Sequence, residues 1–131
     1  MSDLSILGRE VRGPIEQLEC FPAPPHCTQV RFTCDELTSL CPITGQPDFS
    51  TVEIIYCPRE HCVESKSLKH YLWSFRDKRG FAERIAGDIA AEVQRAAAPE
   101  WVRVILHQHV RGGIALEAVA ELGDTPAGSS G

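Results

Sequence analysis

Cys41 stands in the stretch LTSLCPITGQPDF, followed by Pro42, Thr44, Gly45 and Pro47 and then by Asp48. A structural cysteine packs in a strand or helix, whereas this one sits where prolines and a glycine take the backbone out of regular structure. A thiolate is a strong nucleophile once a partner or a lowered pKa activates it. A carboxylic acid close by can deliver a proton to a substrate atom. Cys41 as nucleophile and Asp48 as proton donor is therefore the catalytic reading. The plain alternative is a buried loop cysteine and an aspartate that shapes the turn.

Other residues could bind. In Glu64-Ser65-Lys66-Ser67-Leu68-Lys69, Glu64 and Ser65 suit the first turn of a helix. Lys66 and Lys69 share a face, where two like charges weaken an isolated helix slightly. A phosphate-bearing ligand at that helix start turns this cost into a benefit. Arg111, before Gly112 and Gly113, is a second anion-binding candidate on a tight turn. Charges on helices and turns are more often solvated surface. Glu83 suits the start of a helix, and it also fits a carboxylate accepting hydrogen bonds from the N–H edge of a guanine-like ring.

These residues need a frame. Thr28–Cys34 alternates Val30, Phe32 and Cys34 with polar residues and reads as a half-buried strand; Phe49–Cys57 is a second strand, rich in β-branched and aromatic residues. Leu68, Leu72 and Phe75, with Tyr71, mark an amphipathic helix through ESKSLKHYLWSFR, broken at Asp77–Gly80. Phe81, Ile85, Ile89, Val93 and Ala96 mark a second helix that ends before Pro99. Trp101–Val110 and Ile114–Glu121 then flank the hairpin signal Arg111-Gly112-Gly113. The order ββααββ predicts an α+β domain, a four-stranded antiparallel sheet with two helices on one face. Residues 1–27, with five prolines or glycines between 13 and 25, read as a loosely structured lead-in, and residues 122–131 as a flexible tail. The whole chain, 1–131, is then one domain. So small a sheet leaves exposed edges, which favours self-association.

A net charge of −5 provides no basic field for direct nucleic-acid binding. No apolar run approaches the roughly 18 residues of a membrane span, and the first residues lack the pattern of a secretory signal. The expected location is cytoplasmic. The six cysteines are then expected free rather than disulfide-bonded. Zinc is not expected either, because Cys57 and Cys62 form the closest pair and no second pair accompanies them.

TSLCPITGQPDF, VESKSLKHYLWSFR, FAER and VRGG, in this order and spacing, closely resemble the short NADPH-dependent 7-cyano-7-deazaguanine reductases, the nitrile reductases of queuosine biosynthesis. The likeness runs roughly from residue 28 to residue 121. It implies the tunnelling fold, whose subunits form rings that pair face to face, here as paired pentamers with sites at subunit interfaces. It implies Cys41 as nucleophile and Asp48 as proton donor, with a covalent thioimide and two hydride transfers. Val63, Glu64, Ser65, Glu83 and the position of Ala82 would line the deazaguanine pocket. Ser65, Lys66, Lys69, Arg111 and Gly112 would contact NADPH. No metal is implied.

The chain departs from the family at Ala82, where the resemblance implies a histidine before the purine-binding glutamate. Loss of that histidine is expected to leave covalent capture in place while slowing hydride transfer. Two rivals remain. An amidine-forming relative on the same fold would use Cys41 and Asp48 but add ammonia, with no need for the lysines of ESKSLK. A purine- or pterin-binding oligomer without catalysis would have no use for the cysteine–aspartate loop.

Overall fold

Strand register places the thiol and the carboxylate, so the sheet comes first. The computed structural model describes residues 13–126; residues 1–12 and 127–131 lie outside the described part. Within it run β1 (Cys20–Pro22), β2 (Val30–Leu40), β3 (Pro47–Cys57), β4 (His61–Val63), α1 (Ser65–Trp73), a short 3-10 turn (Ser74–Asp77), α2 (Ala82–Ala97), β5 (Trp101–Arg111) and β6 (Ile114–Gly123). Strands β2-β3-β5-β6 form one antiparallel sheet in that order. The α+β arrangement expected from the sequence is the one observed. Strands β1 and β4 add a separate two-stranded piece, pairing Cys20 with Val63 and Pro22 with His61.

Strand β2 continues past Cys34, where the sequence reading stopped it. Val30, Phe32 and Cys34 turn their side chains toward the helices, and Leu37 and Ser39 do so again after a shift of one residue. The pairing slips between Cys34 and Leu37, a β-bulge that absorbs one extra residue and carries the strand on to Leu40. Asp48 therefore pairs with Ser39 within the sheet instead of lying in the loop. Because side chains alternate along a strand, Asp48 shares the inner face with Ser50, Val52, Ile54 and Tyr56.

That face carries the core. Val52, Tyr56, Val102 and Val104 are completely buried against Ile89 and Val93 of α2 and against Leu68, Tyr71 and Phe75. Helix α2 lies over β5 and β6, and the 3-10 turn lies over β2. Glu64 caps α1, its two carboxylate oxygens accepting the N–H groups of Ser67 at 2.7 Å and Lys66 at 2.9 Å. A smaller cluster of Ile55, Trp101 and Ile105 occupies the opposite face, beside the ion pair of Arg103 with Glu121.

From residue 13 the lead-in is tied down. Ile15 N–H donates to the His70 carbonyl, Leu18 N–H to Glu92 and Glu19 N–H to the Ser67 hydroxyl. At the other end, Leu122 and Gly123 complete β6, and the Pro126 carbonyl accepts from Arg103. Gly123 has φ +84°, and a Cβ there would lie 2.4 Å from the Glu100 carbonyl oxygen. Gly123→Ala is expected to cost about 2 kcal/mol, from backbone strain and this clash. A lower urea midpoint at unchanged m-value would show it. An unchanged midpoint would mean that the end of β6 relaxes freely.

Candidate active site

Six residues, Cys41 to Gln46, connect β2 to β3. Cys41 N–H donates to the Gln46 carbonyl at 2.8 Å, and Gly45 N–H donates to the Cys41 carbonyl at 2.8 Å. Gly45 closes the turn at φ +74°, in the left-handed region that glycine adopts most readily. The Arg79 guanidinium lies over Gly45 so closely that a Cβ there would come within 2.7 Å of Nη2. Arg79 Nη1 also donates to the Pro42 carbonyl at 3.4 Å. Leu40 N–H donates to the Lys78 carbonyl and Gly80 N–H to the Leu40 carbonyl, so the segment entering α2 runs beside the thiol's strand.

Cys41 itself is half-buried. Its pKa lies below the ordinary thiol value because hydrogen bonds from the Thr44 hydroxyl, then from the N–H groups of Thr44 and Ile43, favour the thiolate more than desolvation and the Asp48 charge oppose it. Other cysteines differ. Burial pushes Cys20 up to about 11, and it also raises Cys57 and Cys62.

Asp48 is buried, at 4% exposure, and its carboxylate accepts a hydrogen bond from Arg111 Nη1. Arg111 ends β5, and Gly112 and Gly113, both at positive φ, make the tight turn to β6. Arg111, expected at the cofactor, engages this carboxylate within the single chain while its guanidinium stays half exposed.

Val63, Glu64, Ser65 and Lys66 lie elsewhere. Val63 N–H donates to the Tyr56 hydroxyl at 2.7 Å, at the far end of β3 from Asp48. Asp48 and Tyr56 are separated along that strand by about 26 Å. Lys69 is one helical turn nearer, on a groove of about 390 Å³ lined by Ser65, Lys69, Trp73 and Arg76 of the helical segment and by Cys34 and Thr38 of β2. Ala82, buried in the core, and Glu83, exposed, open α2. They follow Gly80, which is bonded to Leu40 beside Cys41. One chain thus brings together Cys41, Asp48, Arg111 and the start of α2, and leaves Val63 to Lys66 apart.

The donor set suits a phosphorylated nucleotide. Ser65 and Lys69 are exposed on the first turns of α1 with Lys66 between them, and the half-exposed Arg111 guanidinium can reach an anion. Because Glu64 already uses the amides of Lys66 and Ser67, the side chains rather than the helix end must supply the contacts. Sequence reasoning missed Arg79 and Thr44. A polar residue in a turn gives no signal by itself, and the place of Arg79 over Gly45 needs the fold.

Among the described residues, no group of three or more His, Cys, Asp and Glu side chains is placed to hold a metal ion, and no helix is long and apolar enough to cross a membrane. The structure resembles the apo crystal structure of archaeosine synthase QueF-Like at a TM-score of 0.70 and 29% identity, over 76% of this chain and 97% of that one. Fold and site together define an enzyme of the tunnelling-fold class. Residues 47–127 match the family model described as QueF-like protein. An NADPH-dependent 7-cyano-7-deazaguanine reductase from Anaeromyxobacter sp. is 44% identical over 117 residues, 88% of this chain and 96% of the relative. One of the same name from Alkalilimnicola ehrlichii is 46% identical over 110 residues, 82% of this chain and 85% of the relative. The chain belongs to the QueF-like family.

Proposed function

We propose that this chain is a cytoplasmic, NADPH-dependent reductase of 7-cyano-7-deazaguanine, making the aminomethyl product used for queuosine in tRNA. The observation that carries the reading is the Cys41 turn, a thiol held below its ordinary pKa near a buried carboxylate. The names of the relatives supply the substrate, and the lysines of ESKSLK support the cofactor.

A nitrile is a poor hydride acceptor, because negative charge would collect on nitrogen. The Cys41 sulfur adds to the nitrile carbon and one of the two C–N π bonds breaks. Nitrogen gains a proton through Asp48, matching the one the thiol gives up, and a neutral thioimide remains on Cys41. Two NADPH molecules, bound in turn, would each supply one hydride; after the first the C–S bond breaks and its electron pair returns to the Cys41 sulfur, and the second takes the carbon to the primary amine. Ser65, Lys66, Lys69, Arg111 and Gly112 would hold each in turn. Val63, Glu64, Ser65, Ala82 and Glu83 line the ring pocket, with the Glu83 carboxylate accepting from the N–H edge of the purine.

Since Val63 to Lys66 stand so far from Cys41 within one chain, the complete site takes them from a neighbouring copy, in paired pentameric rings. Such an interface also keeps out the water that would hydrolyse the thioimide.

Intact mass of the protein mixed with the nitrile, before and after NADPH, tests the reading. A Cys41 adduct that clears with NADPH and releases the amine supports it. An adduct that NADPH leaves untouched and ammonia converts to an amidine would move the chain to the amidine-forming alternative. No adduct at all would overturn thioimide chemistry. Ala82→His is expected to leave capture unchanged and to speed single-turnover reduction of the adduct at least tenfold, roughly the lower reach of general acid catalysis. An unchanged reduction rate would remove position 82 from the mechanism.

A further inference from the structure

Two parts of the site that lie far apart in the chain are tied by a short main-chain link. Leu40 N–H donates to the Lys78 carbonyl at 2.9 Å, and the Leu40 carbonyl accepts from Gly80 N–H at 3.1 Å. Leu40 and Arg79 thus form an isolated parallel bridge. On one side of the bridge Cys41 follows directly. On the other, Ala82 and Glu83 open α2 within one helical turn's length of chain.

The Arg79 side chain closes the link. Its Nη2, Cζ and Nη1 atoms lie 2.7, 3.3 and 3.4 Å from the place that a Cβ at Gly45 would take, so the guanidinium occupies space that any other residue at 45 would fill. Nη1 also donates to the Pro42 carbonyl at 3.4 Å, a long bond that is weak alone. No carboxylate pairs with Arg79 among the described residues, whereas its neighbours Lys78 and Arg84 are taken by Glu16 and Asp88. An exposed arginine without an ion pair contributes little to stability. Its contacts go instead to the turn that carries the thiol.

We propose that Arg79 is a positioning residue, which clamps the Cys41 turn onto the segment entering α2 so that the thiol and Glu83 keep one fixed separation. This rests on the reading of Cys41 as nucleophile and of Glu83 as the carboxylate that reads the ring. A nitrile held at its ring end by Glu83 then arrives with its carbon aligned to the sulfur. Loss of the clamp costs alignment rather than affinity. The planar guanidinium, not its charge, is the working part, because an ammonium cannot fill the same seat over Gly45.

The test is the single-turnover rate of Cys41 adduct formation across nitrile concentrations, read by intact mass and normalised to the final adduct yield. Arg79→Ala is expected to lower the saturating rate about tenfold and to leave the half-saturating concentration within about twofold of the parent. Arg79→Lys should fall with it. Gly45→Ala follows the contact itself, since the added methyl displaces the guanidinium. It should slow capture by a factor roughly fivefold smaller in Arg79→Ala than in the parent. An unchanged saturating rate in Arg79→Ala, the parent rate in Arg79→Lys, or additive effects of the two alanine changes would each overturn the proposal. Amide exchange of residues 41–46 reads the clamp without nitrile and should quicken about fivefold in Arg79→Ala. Exchange at the parent rate would overturn it as well. A parent that forms no adduct, beside an Arg79→Ala variant with quickened exchange, would sink the reductase reading and leave the clamp standing.

Discussion

Cys41→Ala is expected to lose covalent capture of the nitrile and its reduction together, by at least about 10⁴-fold, because no second group can replace the sulfur. Three of the other five cysteines are poorly placed to compensate. Cys20 and Cys62 are buried in the two-stranded piece beyond the far end of β3, with thiols raised by desolvation. Cys57 closes β3 at that same end, and its thiol donates to Glu100. The fold has little stake in the side chain, since Cys41 is half-buried in a turn held by main-chain bonds and by Arg79. Unfolding should therefore change by no more than about 0.5 kcal/mol. Intact mass and single-turnover rates decide the matter. An adduct that still forms on the variant would place the nucleophile elsewhere.

Asp48→Asn tests the other half of the pair. The amide keeps the shape and can still accept a hydrogen bond from Arg111, but it cannot take up a proton and pass it on. Thioimide formation is expected to slow by about 10²–10⁴-fold, the span of a general acid–base group. Stability should fall only modestly, by about 1 kcal/mol or less, because the Arg111 guanidinium is half exposed and can turn to water. The measurement is the rate at which the adduct mass appears after mixing with the nitrile. Capture at the parent rate would show that the proton travels by a route that avoids Asp48.

The sequence made the order of elements legible because each carries its own period. Alternation marked the strands, three- and four-residue spacing marked the helices, and Gly112-Gly113 marked the last hairpin. Helix α1 could be started at Glu64 because an acid there can cap, and both of its oxygens do so. What escaped notice depended on pieces far apart in the chain. Asp35 and Glu36 interrupt the alternation of β2, and only the bulge opposite Val52 and Ser50 lets the strand continue. Prolines 22, 24 and 25 hid β1, which is a strand because β4 pairs with it. The contact of Arg111 with Asp48 spans 63 residues and needs β3 and β5 side by side. Cys41 was found because a cysteine among prolines is conspicuous; Thr44, three residues on, looked like ordinary turn composition.

The distance between Val63–Lys66 and the Cys41 turn has a consequence for the life of the chain. On the proposed reading, a newly made chain already holds a primed sulfur but lacks, within reach, the groups that would bring it the right nitrile. Competence then arrives with encounter between copies, so specific activity should climb steeply with protein concentration and vanish on dilution below the assembly threshold. Until then the thiolate is exposed to any passing electrophile, and assembly is also its shelter.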